Sequence, residues 1–155
     1  MKRKTLKARE VMSRNLVSVG TETKVFEIAR LLAQNRIGGV PVVDNNGRLL
    51  GVVTEGDLFP KEKPYPFSLE KGPALLGQWF DTPHLQEAYG EVRNLTAADV
   101  MVRNVWAVDV ESDVEEVAVA MMERKSDRVP VLQDDRVVGI ITRLDLIHHM
   151  MLEGV

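Results

Sequence analysis

The sequence of 155 residues repeats itself once, and this repetition limits what the chain can fold into. An offset of 89, which superposes residue 11 on residue 100, aligns many identical residues. They include Val11-Met12 with Val100-Met101, Arg14-Asn15 with Arg103-Asn104, and Val40-Pro41-Val42 with Val129-Pro130-Val131. Such a register indicates two copies of one supersecondary unit. Because about fifty residues bury too little apolar surface to be stable alone, we expect the copies to pack together with pseudo-twofold symmetry.

Each copy has the same local pattern, which predicts the order β-α-β-β-α and an α/β (α+β) fold. A short β-prone segment, at 17–19 or 105–108, precedes a stripe of apolar residues at helical spacing. We expect these helices to begin near Thr23 and Ser112, the second with a capping box between Ser112 and Glu115. Two apolar runs follow, joined by Asn45-Asn46-Gly47 in the first copy and Asp134-Asp135 in the second, and a final helix closes each unit.

The repeats divide the chain into residues 8–59, a connector at 60–96 and residues 97–152. The connector holds five of the seven prolines and five of the eight aromatic residues, so we expect it to be ordered and partly helical. Two interpretations remain open. Its aromatic residues pack back on the repeats or across a dimer, or they form a docking surface for a partner. These residues are Tyr65, Phe67, Trp79, Phe80 and Tyr89.

Charge and composition exclude several classes of function. With 20 Lys+Arg against 23 Asp+Glu, the net charge of −3 lacks the basic field of a general nucleic-acid-binding protein. The absence of cysteine excludes disulfides and thiol chemistry. The basic N-terminus is not followed by the apolar run of a signal peptide, and no apolar stretch approaches the roughly 20 residues of a spanning helix. We therefore expect a soluble, cytoplasmic protein.

The most chemically suggestive pattern is Gly-h-h-Thr-x-x-Asp, where h is apolar, which occurs at Gly51–Asp57 and again at Gly139–Asp145. A glycine inside a strand indicates close approach by another strand or a ligand. Threonine and aspartate at the start of a helix can offer a hydroxyl and a carboxylate to a polar ligand. The same pair is equally well explained as a structural helix cap, so the residues leave both interpretations open.

The paired units, with their Val-Pro-Val strands and Gly-h-h-Thr-x-x-Asp endings, resemble a tandem of CBS domains, or Bateman module, of the stand-alone bacterial or archaeal type. The resemblance covers all but the connector and the extreme N-terminus. It implies two clefts between the repeats that bind AMP, ADP, ATP or S-adenosylmethionine. It also implies a homodimer that associates through its helices, with the orientation of the two subunits left open.

Carried over residue by residue, the resemblance implies two composite nucleotide sites. One cleft combines Thr54 and Asp57 with Trp106, Asp127, Arg128 and Pro130; the second combines Val17, Gly38, Gly39 and Pro41 with Thr142, Arg143 and Asp145. We expect Arg128 to bind phosphate and Trp106 to stack on adenine, which favours the first cleft for a phosphorylated nucleotide. The alternatives are that Arg128 pairs with Asp127 or Glu123 and that Trp106 is a core residue.

Two hypotheses about function follow. The first is a non-catalytic, regulatory module that senses an adenine nucleotide and passes the signal to an unknown effector protein. The second is a structural or interaction module in which both Thr/Asp pairs only cap helices. An enzyme is disfavoured because no nucleophile with an activating neighbour is visible, and the three histidines lack the spacing of a metal site. A Mg²⁺ ion accompanying ATP would be the only metal expected.

Overall fold

The computed structural model describes residues 5–58 and 90–152, which form two units with a similar order of elements. Most of the predicted connector, including its five aromatic residues, lies outside the described residues. The first unit, repeat 1, contains a short helix, a longer helix, a hairpin and a 3₁₀ turn. These are α1 (Ala8–Val11), α2 (Val25–Asn35), β1 (Gly39–Val43), β2 (Leu49–Thr54) and the turn Glu55–Leu58.

Repeat 2 follows the same order and confirms the predicted mixed fold of helices and strands. Its elements are α3 (Ala97–Val100), β3 (Val108–Asp109), α4 (Val114–Glu123), β4 (Arg128–Gln133), β5 (Arg136–Thr142), α5 (Arg143–Ile147) and a π-helical turn (His148–Leu152). Strand β3 is parallel to β4, and β4 is antiparallel to β5. In repeat 1 the corresponding first strand is reduced to one parallel bridge between Val19 and Val42.

The two hairpins share details that the repeated sequence dictates. Both have an irregularity in register directly after the Val-Pro-Val segment, between Val42 and Val43 and between Val131 and Leu132. Their turns differ because the first uses Gly47 at φ +80° whereas the second places two aspartates, Asp134 and Asp135, in the left-handed region. Aspartate tolerates that region better than most residues, so both turns close tight antiparallel pairs.

Each repeat completes the hydrophobic core of the other. Ala8 and Val11 of α1, at the start of repeat 1, are buried with Val117, Val131 and other residues of repeat 2. In return, Ala97 and Met101, at the start of repeat 2, are buried in the core of repeat 1. Because neither core is complete without a segment of the other repeat, we expect the two repeats to fold as one cooperative unit.

The exchange of these two segments between the repeats also determines where the helices begin, and it corrects the predicted helix starts. Helix α2 begins at Val25 rather than near Thr23, and α4 begins at Val114 with Asp113 as its N-cap. Neither N-cap makes a side-chain capping hydrogen bond, so the predicted capping box from Ser112 to Glu115 is wrong. The physical reason is that a segment directly before the other repeat satisfies the first helical N–H. Val25 donates to the Leu95 carbonyl at 2.8 Å, and Val114 donates to the Leu6 carbonyl at 2.9 Å.

The exchange also explains the glycines inside β2 and β5. The segment after α3 pairs with β2 through two hydrogen bonds between Val52 and Val102, at 3.0 and 3.1 Å. A Cβ on Gly51 would lie 2.7 Å from the Val102 carbonyl oxygen. Likewise a Cβ on Gly139 would lie 2.9 Å from the Ser13 carbonyl oxygen. Both glycines are therefore required by close approach of the other repeat's backbone, which accounts for them without a ligand.

Candidate functional site

A cavity of about 220 Å³ lies between the repeats, and it gathers most of the residues predicted for the first cleft. Its polar lining is formed by Thr54, Asp57, Ser126, Asp127 and Arg128. The remaining lining is glycine, proline and aliphatic side chains: Gly39, Val40, Val52, Val102, Val105, Pro130 and Ile140. Strand β2 supplies the hydroxyl of Thr54, and the 3₁₀ turn after it supplies the buried carboxylate of Asp57. The start of β4 supplies the guanidinium of Arg128. The site is thus composite, with charged groups from one repeat facing those of the other.

Thr54 and Asp57 hold each other in a fixed geometry. The Asp57 Oδ2 atom accepts from the Thr54 backbone N–H at 2.8 Å and from the Thr54 hydroxyl at 3.2 Å. The Asp57 residue is only 9% exposed, which makes it the buried charged residue among those described. Burial of a carboxylate is costly unless it is hydrogen-bonded, so this one is firmly positioned at the wall of the cavity.

The same hydrogen bonds occur at two other places among the described residues. Thr142 donates to Asp145 Oδ2 at 2.8 Å from its backbone N–H and at 3.0 Å from its hydroxyl. Thr96 and Asp99, at the start of α3 and outside the repeated Gly-h-h-Thr-x-x-Asp pattern, show the same distances. The Thr-x-x-Asp geometry by itself is therefore a helix cap, and only its surroundings distinguish the Asp57 pair.

Arg128 crosses from repeat 2 to lie against repeat 1. Its guanidinium occupies the space where side chains of Gly38 and Gly39 would stand: a Cβ there would come within 2.7 Å and 2.5 Å of the guanidinium nitrogens. The same guanidinium donates to Asp127 from Nε and from an Nη atom, both at 3.2 Å. The ion pair considered as an alternative for Arg128 is therefore present, and it lies within the cavity lining.

The Arg128 guanidinium lowers the pKa of the Asp127 carboxylate. Its hydrogen bonds are the largest cause that holds this pKa below its ordinary value; partial burial raises it, and the positive charges of Arg128 and Arg143 lower it further. The Asp127 side chain is 51% exposed and that of Arg128 22% exposed. Arg128 is thus the better-buried member of the pair, and both residues line the cavity.

Trp106 stands apart from this cavity lining. It is partly buried against the core of repeat 2, and the guanidinium of Arg124 lies 4.8 Å from its ring centre. This corresponds to the core interpretation of Trp106. The residues that line the cavity from the same segment are Val102 and Val105.

The residues predicted for the second cleft stay a prediction as a group, and the structure gives the place of several of them. Gly39 pairs with Thr54 and lines the Asp57 cavity. Val17 packs against the core of repeat 1, and Pro41 is fully buried in β1. Gly38 accepts a backbone hydrogen bond from Glu55 at 3.1 Å, just as Asp127 accepts one from Arg143.

Sequence reasoning missed Ser126 and the aliphatic wall of the cavity. The Ser126 hydroxyl donates to the Arg128 carbonyl at 2.6 Å and so fixes the start of β4. The sequence could have indicated Val40 and Val52, because Val40 belongs to the Val-Pro-Val segment and Val52 to the Gly-h-h-Thr-x-x-Asp pattern. No comparable signal marked Val102 or Val105, because their place depends on the exchanged segment after α3.

Three further observations limit the chemistry. A larger cavity of about 670 Å³ lies between the hairpin turns, beside Arg48 and Arg136, and holds none of the predicted site residues. Across residues 5–58 and 90–152, no three histidine or acidic side chains are grouped as a metal site would require. No helix within these ranges has the length and apolarity needed to cross a membrane.

A family model described as CBS domain matches residues 8–61 and 97–152. The CBS domain-containing protein CBSX1 of Arabidopsis thaliana, a chloroplastic protein, is 30% identical over 125 residues. That alignment covers 78% of this chain and 53% of CBSX1, so the chain spans about half the length of this relative.

Two solved structures show the same fold. The CBS domain of a CBS domain-containing membrane protein from Sphaerobacter thermophilus is 31% identical, with a TM-score of 0.73 over 92% of this chain and 86% of the other. A structure of CBSX2 in complex with AMP is 24% identical, with a TM-score of 0.71 over 94% and 97% of the two chains. At this identity the second similarity concerns the fold alone.

Proposed function

The chain belongs to the CBS-domain family, and from this premise we propose that it is a non-catalytic regulatory module that binds an adenine nucleotide between its repeats. The ligand class is AMP, ADP or ATP, with S-adenosylmethionine as the related adenosyl compound. The observation that carries the proposal is the Asp57 cavity, in which a buried carboxylate and an arginine from opposite repeats face an aliphatic wall.

Each part of the cavity matches one part of a nucleotide. A carboxylate accepts hydrogen bonds from the two hydroxyls of ribose, which suits Asp57. A guanidinium binds phosphate oxygens through charge-assisted hydrogen bonds, which suits Arg128. The side chains of Val40, Val102 and Ile140 offer apolar surface to the flat base, and in this proposal they take the part first given to Trp106.

Binding requires Arg128 to change partners. The cavity volume of about 220 Å³ is below the roughly 300–1,000 Å³ of typical ligand sites, and the Arg128 guanidinium fills the adjoining space over Gly38 and Gly39. We infer that a phosphate group draws Arg128 away from Asp127 and opens this space. A ligand that bridges Asp57 and Arg128 then ties repeat 1 to repeat 2, which is a direct way to bias their relative arrangement.

The second cleft and the assembly complete the proposal. Thr142, Arg143 and Asp145 form the weaker site, since the residue equivalent to Arg128 in repeat 1 is Gly39. Magnesium enters only with ATP, as part of the ligand. The protein acts as a homodimer, and the signal passes to an effector protein.

The test is thermal unfolding with AMP, ADP, ATP, S-adenosylmethionine and, as a control, inorganic phosphate. A ligand at about 100 times its dissociation constant adds roughly 2.7 kcal/mol to the free energy of unfolding. For a chain of this size, that corresponds to a rise in Tm of roughly 5–11 °C. We expect such a rise with at least one adenosyl ligand and none with phosphate. If no adenosyl compound changes Tm, the chain is a structural module and the proposal fails.

A further inference from the structure

Asp127 has two arginines beside it, and only one of them lines the Asp57 cavity. Its carboxylate accepts two hydrogen bonds from Arg128, and both residues belong to the lining of that cavity. The second is Arg143, the first residue of α5, which lines a separate apolar groove beside α4. One carboxylate thus stands at the boundary between the Asp57 cavity and a residue predicted for the second cleft.

The hairpin of repeat 2 places Arg143 directly across from Asp127. Strands β4 and β5 pair Arg128 with Thr142. One residue further along, the Arg143 N–H donates to the Asp127 carbonyl at 3.1 Å. Residues opposite each other in an antiparallel pair have Cβ atoms about 4.5–5.5 Å apart, and opposite charges there attract. Hydrogen bonds from Arg128 are the largest cause that lowers the pKa of Asp127, and the charge of Arg143 lowers it further.

The backbone does not require these charges, because repeat 1 makes the same backbone contact without them. The repeat register places Gly38 at the position of Asp127 and Glu55 at the position of Arg143. The Glu55 N–H donates to the Gly38 carbonyl at 3.1 Å, the same distance as in repeat 2. Repeat 1 therefore has no pair of opposite charges across this contact. The pair in repeat 2 needs an explanation other than the fold.

The proposed nucleotide binding leaves Asp127 without its present partner. When a phosphate draws Arg128 away, the Asp127 carboxylate still lines the cavity that holds the phosphate, and the two negative charges repel each other. Arg143 is exposed, and it forms no ion pair within residues 5–58 and 90–152. A second cation that neutralises Asp127 therefore favours the bound state, and Arg143 is placed to supply it.

We propose that Arg143 is a positioning residue for phosphate binding, which pairs with the Asp127 carboxylate once Arg128 has turned to the phosphate. Arg143 thereby acts on the Asp57 cavity without lining it. The inference rests on the proposed function and extends it by a residue that touches no ligand in that cavity. The competing account is a direct contact between Arg143 and a phosphate in the second cleft, and the test separates the two.

The test is a double-variant cycle, measured by calorimetric titration of the full chain with AMP. Arg143→Gln leaves Asp127 without its replacement partner and is expected to weaken AMP binding about 2- to 5-fold, whereas Arg143→Lys keeps the charge and most of the affinity. Asp127→Asn removes the carboxylate that competes for Arg128 and is expected to tighten AMP binding about 3-fold. In the Asp127→Asn background, Arg143→Gln should change the dissociation constant by less than about 1.5-fold, because its partner is absent.

Two controls isolate this effect. Adenosine has no phosphate and leaves Arg128 on Asp127, so Arg143→Gln is expected to bind adenosine as tightly as the wild type does. Lys125→Gln removes another exposed cation, two residues before Asp127, and should change the dissociation constant of AMP by less than about 1.5-fold at physiological salt.

An Arg143→Gln effect of the same size in both backgrounds would overturn the proposal, since that result means a direct phosphate contact. So would an equal loss for adenosine, a loss with Lys125→Gln as large as that with Arg143→Gln, or weaker AMP binding by Asp127→Asn. A wild type that binds no AMP overturns the proposed function itself. AMP binding with an additive cycle overturns only the role of Arg143.

Discussion

Replacing Asp57 and Asp99 separately by alanine distinguishes ligand binding from helix capping. Both carboxylates accept the same two hydrogen bonds from the threonine three residues earlier, with backbone distances of 2.8 Å in each case. They differ in surroundings, because Asp57 is buried beside Arg128 whereas Asp99 faces solvent. The two variants are therefore a matched pair: each removes a helix-capping carboxylate, but only Asp57→Ala also removes a residue of the proposed binding site.

The expected magnitudes follow from burial. Asp57→Ala leaves the partly buried Thr54 N–H without its acceptor and costs about 1–3 kcal/mol, or roughly 2–12 °C in Tm. Asp99→Ala lowers Tm less, because water replaces the lost acceptor. With AMP at about 100 times its wild-type dissociation constant, Asp99→Ala keeps the full rise of roughly 5–11 °C and Asp57→Ala loses most of it. Asp57→Asn, which retains an oxygen acceptor for Thr54, serves where the alanine variant folds poorly.

The assay is thermal unfolding of each variant with and without AMP. The reasoning is refuted if Asp57→Ala and Asp57→Asn retain the wild-type rise, since the carboxylate then has no role in binding. The reasoning is equally refuted if Asp99→Ala abolishes the rise in Tm with AMP, because loss of a helix cap outside the cavity would then have the same effect as loss of Asp57.

Three further predictions concern packing, phosphate recognition and pH. Gly51→Ala brings a Cβ to 2.7 Å from the Val102 carbonyl oxygen. We expect this variant to lower the free energy of unfolding, measured by urea denaturation, by about 1–3 kcal/mol. In the control Gly20→Ala the new Cβ meets nothing within 4 Å, so the free energy of unfolding should change by less than about 0.5 kcal/mol. Equal effects would contradict the exchanged packing. Arg128→Ala is expected to weaken AMP about 10- to 100-fold in calorimetric titration and to leave adenosine unchanged; equal losses for both ligands would exclude a phosphate contact. Arg128 lowers the pKa of Asp127 in the folded protein relative to the unfolded chain. The ion pair therefore stabilises the fold at pH values above the pKa of Asp127 in the unfolded chain, and this stabilisation is lost as the pH falls through the pKa of Asp127 in the folded protein. The difference in urea midpoint between wild type and Asp127→Asn should therefore shrink below about pH 4, and a difference that grows there would contradict the assignment.

The repeated sequence was sufficient to predict the fold, because the offset between Val11 and Val100 already implied two similar units. It also predicted the two hairpins, whereas the grouping of Thr54, Asp57 and Arg128 came from the resemblance to CBS domains; all three line one cavity. These successes have a common cause: they depend on residues within a repeat, or on a symmetry that the sequence displays directly.

The errors and omissions depend instead on contacts between the repeats. The start of α4 was misplaced because the Leu6 carbonyl, a distant backbone group, satisfies the N–H that a capping side chain would otherwise serve. Similarly, Gly51 has a structural explanation in the approach of Val102, which no local pattern reveals. Trp106 packs on its own repeat beside Arg124, and the stacking on adenine that the resemblance implied for it stays a prediction.

The most direct test of the central claim is a crystal structure of the protein with AMP. We expect electron density for the nucleotide in the Asp57 cavity, with the ribose hydroxyls on the Asp57 carboxylate. The phosphate should lie on the guanidinium of Arg128, which has left Asp127. An empty cavity at saturating AMP, or nucleotide bound only between the hairpin turns beside Arg48 and Arg136, would contradict the account.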